Sequence, residues 1–365
     1  MTQTAIPYVF MRGGTSRGPY FNRADLPEDL EKLADVLVAA VGAGHALNID
    51  GIGGGAAVTT KVAILSKSEE NWADVDYFFA QVSVEEKFVD FKPTCGNILS
   101  GVGAAAIEMG LVEPTGDTTE VKIRATNTGA QVIANVATPG GTLAYEGDAA
   151  IAGVPGTAAP VQLKFMGVVG SATGALLPTG NLRDTFDGVE VTCMDVAMPV
   201  VLARAEDFGL TGYEAAADLD ANTDFFARME AIRLQAGVAM GMGDVTKSVT
   251  PKFAILAPSQ NGGTIATRYF MPWKTHPTMA VTGAQCIASC ALTPGTVAEG
   301  LLERPSASPA EVVLEHASGT IDVLVDFSAE DGFDLNAAGL VRTARKIADG
   351  HVFVPSTVWN GEPDA

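Results

Sequence analysis

Cysteine, histidine and positive charge are scarce in this chain, and each shortage removes a class of function. Four cysteines and four histidines are spread over 365 residues. Cys95, Cys193, Cys286 and Cys290 are too few for a disulfide scaffold at this length and read as free thiols. His45, His276, His316 and His351 stand far apart, and no CxxC, HExxH or paired-aspartate run supplies metal-ligand spacing, so no metal is expected. Lys and Arg number 23 against 43 Asp and Glu, a formal charge of −20. That balance argues against nucleic acid or an anionic membrane as partner, because phosphate contacts need clustered Lys and Arg. An anionic substrate must then be met by a local positive site. No apolar run nears the roughly 18 residues of a membrane span, and "MTQTAIPYVFMRGG" lacks the basic, apolar and cleavage regions of a leader, so a cytoplasmic location is expected.

What the chain does have is apolar bulk, 47% hydrophobic against 18% charged residues. That suffices for large cores in about two domains of roughly 150 residues each. Runs such as "YVFM", "KVAILS", "FFAQVSV" and "AQVIANVATPG" read as strands between Gly-rich turns. "DLPEDLEKLADVLVAAVG" and "GNILSGVGAAAIEMG" read as helices. The pattern is α+β rather than a regular βαβ series.

The halves share an order of parts. "KVAILS" at Lys61 returns as "KFAILAP" at Lys252, and each precedes a Gly-led, small-residue helix, "TCGNILSGVGAAA" and then "VTGAQCIASCALTPG". "GPYFNRADLPEDL" has a weaker counterpart in "MPVVLARAEDFGL". Two related domains follow, 1–183 and 184–365, with the extreme C-terminus able to pack back on the first. If both helices begin at one cleft, their free N–H groups and positive dipole ends make a receptor for a small dianion without basic residues. A cysteine at such a helix start also has a setting that favours the thiolate.

"CGNILSGVG" resembles the CGN motif of the diaminopimelate epimerase fold. With "MRGGTSRGPYF", "IDGIGGGAAVTTKVAIL" and "VTGAQCIASCALTPGTV" it is similar to the PrpF-like isomerases over nearly the whole chain. "GALLPTGN" and "VRTARKIADGHVFVP" look most similar to the 4-oxalomesaconate isomerases (tautomerases) of bacterial aromatic-acid breakdown, with the methylaconitate isomerases of propionate metabolism second. The resemblance implies two pseudo-symmetric α+β domains, each a sheet wrapped around a central helix, with the active site between them and no organic cofactor or metal. It also implies that Lys61, in the strand after the "DGxGG" loop, and Cys95, heading the CGN helix, carry the proton chemistry. A two-thiol epimerase needs a second cysteine facing the first. That position falls on Thr282, while Cys286 and Cys290 lie further into the helix and read as core. Stereoinversion is therefore disfavoured, and proton shift along an allylic system remains.

A lysine that acts as a base must be neutral, which burial or a nearby positive charge favours. Lys61 can instead be a salt-bridged anchor or a cationic clamp, and Cys95 an inert buried thiol, a partner acid or a group that only holds substrate. An unsaturated di- or tricarboxylate would be gripped by "RGGTSRG", "CGNI" and "VTG": the Ser16 hydroxyl, the Arg12 and Arg17 guanidiniums, and backbone amides at Gly96, Asn97, Ile98, Thr282 and Gly283. Lys274 and His276 are weaker candidates just upstream of the second helix. "GIGGG" is not a phosphate loop, since GxxxxGK[ST] is absent and no acidic residue completes a Rossmann unit. A non-catalytic carboxylate-binding protein on the same scaffold is the reading from another class. The oligomeric state stays open, a homodimer being one option.

Overall fold

The computed structural model describes residues 3–151, 153–328 and 333–361. The chain forms two compact units, Met1–Leu163 with Val341–Ala365, and Lys164–Leu340. The division thus falls ahead of 183/184. The segment just before residue 184 is part of the second unit, where Thr179 and Asn181 bond Asp184 and the Asp195 N–H bonds the Leu176 carbonyl.

The first unit contains β1 (Gln3–Gly13), β2 (Ser16–Asn22), α1 (Leu30–Val41), β3 (Lys61–Lys67), β4 (Val75–Val82), β5 (Val89–Asp90), α2 (Gly96–Leu99), α3 (Val102–Glu108), β6 (Thr118–Ala125) and β7 (Ala130–Ala137). Strand β8 (Pro160–Met166) carries the chain across the boundary. The second unit contains β9 (Asp184–Phe186), β10 (Val189–Asp195), β11 (Pro199–Arg204), α4 (Ala216–Ala221), α5 (Thr223–Ala239), β12 (Lys252–Pro258), β13 (Ile265–Phe270), α6 (Val281–Leu292), β14 (Ala310–His316) and β15 (Gly319–Ser328). Strand β16 (Asp334–Pro355) pairs first with β15 and then, past Leu340, with β1.

The units repeat one topology. β1–β2, β3–β4 and β6–β7 are antiparallel, with β2–β3 and β4–β6 parallel between them. β10–β11, β12–β13 and β14–β15 are antiparallel, with β11–β12 and β13–β14 parallel. Lys61 and Lys252 each open the third strand of the series, where the repeated "K-[VF]-A-I-L" placed them.

Each sheet packs helices on both faces. Asp29 accepts the Lys32 N–H to start α1, and Gly42 in the left-handed region ends it. Leu33, Val36, Leu37 and Ala40 face Phe21, Val62 and Ile64, and each large side chain so buried contributes about 1.5–3 kcal/mol. On the other face of the second unit, every residue of α6 from Gly283 to Leu292 is buried. Side chains from β10 to β15 and the start of β16 converge on it, so the sheet wraps the helix. Its polar members are satisfied internally, Gln285 on the Ala338 carbonyl and Ser289 on the Gln285 carbonyl. Cys286 and Cys290 are fully buried here, and burial pushes the first thiol well up and the second to about 12. They are packing groups.

Candidate active site

Strand alternation decides what faces α2 and α3. Val62 and Ile64 pack towards α1, so Lys61 points to the opposite face, where α2 touches β1, β2 and β3. Gln81, directly across from Lys61 on β4, accepts a hydrogen bond from Lys61 Nζ at 2.7 Å. The Gln81 amide nitrogen is held by the Thr60 hydroxyl and by the Ala57 and Val82 carbonyls, each at 3.2 Å. That network turns the amide oxygen towards the lysine. The Phe79 ring lies 5.3 Å from Nζ. The half-buried amine therefore has one fixed acceptor, an aromatic floor and no carboxylate partner among the described residues.

Cys95 is the N-cap residue of α2, half-buried, with extended backbone angles. Its carbonyl accepts from Leu99 N–H at 2.9 Å and from the Tyr77 hydroxyl at 3.3 Å. The expected single helix is broken at Ser100 and Gly101. The Tyr20 hydroxyl donates to the Ile98 carbonyl at 2.5 Å, and a side chain at Gly101 would collide with that ring. Burial first, then the neighbouring Cys95 thiol, push both tyrosine hydroxyls well above their ordinary range, so they remain donors.

The tip of the β1–β2 hairpin presses on the same helix start. Asn97 Oδ1 accepts from Thr15 N–H at 3.3 Å, and a Cβ on Gly14, whose φ is +52°, would lie 2.2 Å from that oxygen. Only glycine fits there. Ser16 is 2% exposed and its hydroxyl has no partner among the described residues. A buried hydroxyl left unpaired costs about 1–3 kcal/mol, so a ligand oxygen at Ser16 would recover it. The structure thus gathers Ser16, Lys61, Cys95, Gly96, Asn97 and Ile98 on one side of one sheet.

It does not gather the two arginines with them. Arg12 and Arg17 are directly opposite each other on β1 and β2, offset by one residue from Gly13 and Ser16. A one-residue offset is the other face. Arg12 Nη1 donates to the Gly14 and Thr343 carbonyls at 2.9 Å, and Arg17 lies 5.9 Å from the Phe10 ring centre.

In the second unit, Thr282 and Gly283 occupy the first turn of α6 and Ala280 is its N-cap residue without a side-chain cap. A Cβ on Gly283 would come within 2.5 Å of the Tyr269 ring. The Tyr269 hydroxyl and Thr275 Oγ1 are buried with no partner among the described residues. His276 stacks edge-on against Tyr269 and its Nδ1 accepts from Thr278 N–H at 3.1 Å. Burial above all, and then Lys252, hold its pKa below the ordinary histidine range, so the ring is neutral at pH 7. Lys274 is exposed. The residues that sequence reasoning missed are Gln81, Tyr20, Tyr77 and Tyr269. Only a strand register could have pointed to Gln81, since it sits twenty positions from its partner.

Among the described residues no helix is long and apolar enough to cross a membrane, and no group of three His, Cys, Asp or Glu side chains could hold a metal ion. Over residues 3–355 the chain matches the PrpF protein family. It is 51% identical over 350 residues to the Escherichia coli protein YbhH, named as an isomerase, spanning 96% of this chain and 99% of that one. Identity with the 4-oxalomesaconate tautomerase of Pseudomonas putida is 47% over 361 residues, 99% of each. The crystal structure of a methylitaconate-delta-isomerase superposes with a TM-score of 0.88 at 35% identity, covering 98% of this chain and 97% of the other. The α+β, diaminopimelate epimerase-like architecture and a match along nearly the full length agree, and the chain belongs to the PrpF family.

Proposed function

We propose that this isomerase shifts a double bond by 1,3-allylic proton transfer in 4-oxalomesaconate, with Lys61 as the base and no cofactor. The observation that carries the reading is the Lys61 amine, held by Gln81 on the sheet face that also bears the Cys95-headed helix. A CH2 conjugated through C=C to a carbonyl is acidic enough to be deprotonated. The Lys61 amine takes that proton, the electron pair spreads into a dienolate, and a proton returned two carbons away leaves the double bond moved. Cys95 either returns that proton or holds the substrate while Lys61 moves it both ways. Ser16 Oγ and the amides of Gly96, Asn97 and Ile98 receive a carboxylate. Higher identity with the 4-oxalomesaconate tautomerase than with the methylitaconate isomerase supports the substrate, and with it a place in aromatic-acid breakdown.

Turnover should survive exhaustive chelation; loss restored by one metal ion would refute the cofactor-free reaction. Lys61→Met should keep substrate binding within about tenfold yet lose about a thousandfold or more in turnover and in exchange of substrate hydrogen with solvent. Both are read by NMR in heavy water. Retained exchange in the folded variant would transfer the base role to Cys95.

A further inference from the structure

Three arginines stand in a row on three neighbouring strands of the first unit. Arg12 on β1 is directly opposite Arg17 on β2 and directly opposite Arg345 on β16. Residues so paired share a face, with Cβ atoms roughly 4.5–5.5 Å apart, and like charges there repel. In a chain with 43 acidic residues a carboxylate is the obvious remedy, yet none of the three forms an ion pair among the described residues. Arg12 uses Nη1 on Gly14 and Thr343, which leaves Nε and Nη2 available. Arg345 is exposed. Burial, and then the charge of Arg345, lower the pKa of Arg12, a sign that the repulsion is felt.

Arg12 and Arg345 line a cavity of about 610 Å³ with Lys346, Tyr145, Thr157 and Glu146. Lys346 is already paired with Glu108 and Asp349, so the uncompensated charge is that of the two guanidiniums. Glu146, the one acid on the wall, makes no ion pair among the described residues. Sites for small ligands run from roughly 300 to 1,000 Å³.

We propose that this cavity binds a small oxyanion of two or more negative charges, a di- or tricarboxylate or a phosphate, between the guanidinium forks of Arg12 and Arg345. The planar fork of arginine matches such oxygens two at a time, and an anion between the pair converts repulsion into two charge-assisted contacts. The site is separate from the Ser16–Lys61 cluster in that its lining includes none of that cluster's residues. It does not rest on the reaction proposed above.

The test is isothermal titration of the full chain in chloride buffer with tricarballylate and, separately, inorganic phosphate. At least one probe should bind at a site that Arg345→Gln weakens about tenfold or more, a loss typical of a removed charged contact, and that Glu146→Gln tightens. The probe that meets this identifies the ligand class. Unchanged affinity for both probes in the folded Arg345→Gln protein would overturn the proposal, as would a parallel rise in KM, which would place Arg345 in the substrate site. The binding measurement needs no turnover, so it can fail or succeed apart from the isomerase reading.

Discussion

Strands β3 and β12 both open on a lysine, Lys61 in one unit and Lys252 in the other, yet the two amines have different neighbours. Lys61 has the Gln81 amide oxygen across the ladder and the Phe79 ring beneath it. On the matching strand of the second unit Phe253 pairs with Phe270, and the next residue is Met271, which has no amide to offer. Burial and the charge of Arg233 lower the pKa of Lys252 instead. The helix that follows is headed by Cys95 in one unit and Ala280 in the other. One topology thus carries a furnished site in the first unit and a bare helix start in the second. A duplicated scaffold keeps its sheet because packing demands it, while residues at strand and helix ends are free to diverge.

The sharpest way to break that contrast is at the thiols. Cys95→Ala should cut turnover about a hundredfold or more, whereas Cys286→Ala and Cys290→Ala should leave kcat near wild type and cost about 1–2 kcal/mol in urea unfolding. A folded, normally stable and inactive Cys286→Ala protein would show that the second helix is misread.

A second contrast lies where a hairpin turn is tied to the parallel strand beside it. In the first unit Arg124 of β6 holds Asp76 and Glu70. At the equivalent ladder position in the second unit stands Glu315 of β14, which accepts from the Tyr213 hydroxyl and from Gln260, Asn261 and Gly263 N–H. The same joint is made with the opposite charge. Burial alone would raise the Glu315 pKa, but Tyr213 and the three amides outweigh it and hold it at about 2. A depressed carboxylate pKa contributes stability above its unfolded value, lost as pH falls through the folded one. Glu315→Gln should therefore cost about 2–3 kcal/mol at pH 7, with the gap to wild type narrowing between about pH 4.3 and pH 2. Urea midpoints at pH 7 and pH 3 check this, and an equal gap at both would remove the charge from the explanation.

The smallest effect sharpens the lysine comparison. Gln81→Met gives Lys61 the cross-strand neighbour that Lys252 has and should lower turnover about tenfold, roughly one lost hydrogen bond to a charged or reacting group, with little change in stability. Unchanged turnover would make Gln81 a packing residue.

Much of this layout was legible in the sequence, for identifiable reasons. The repeated "K-[VF]-A-I-L" run fixed both central strands because buried strands are apolar and bounded by turns. Asp29 and Gly42 bracket α1 by ordinary capping chemistry. The arginines of "MRGGTSRG" read as neighbours of Ser16, but with Ser16 and Arg17 both in β2 the two face opposite ways, and composition does not set where the hairpin turn ends and that strand begins. Gln81 and the tyrosines escaped notice because their roles come from ladder partners or packing distant in sequence. The units divide within strand β8, ahead of 183/184, a place that the repeated order of parts does not mark.

Strand β16 also sets an order of events in synthesis. Gln3 pairs with Pro355, so one neighbour of β1 is synthesised only after the whole second unit. The second unit is contiguous from Lys164 to Leu340 and can complete itself while the N-terminal segment still waits with one edge of β1 unpaired. An open edge is a template for other chains. A nascent chain halted near Leu340 should therefore be more prone to aggregate than one that has released Pro355, because the part of β16 past Leu340 closes that edge.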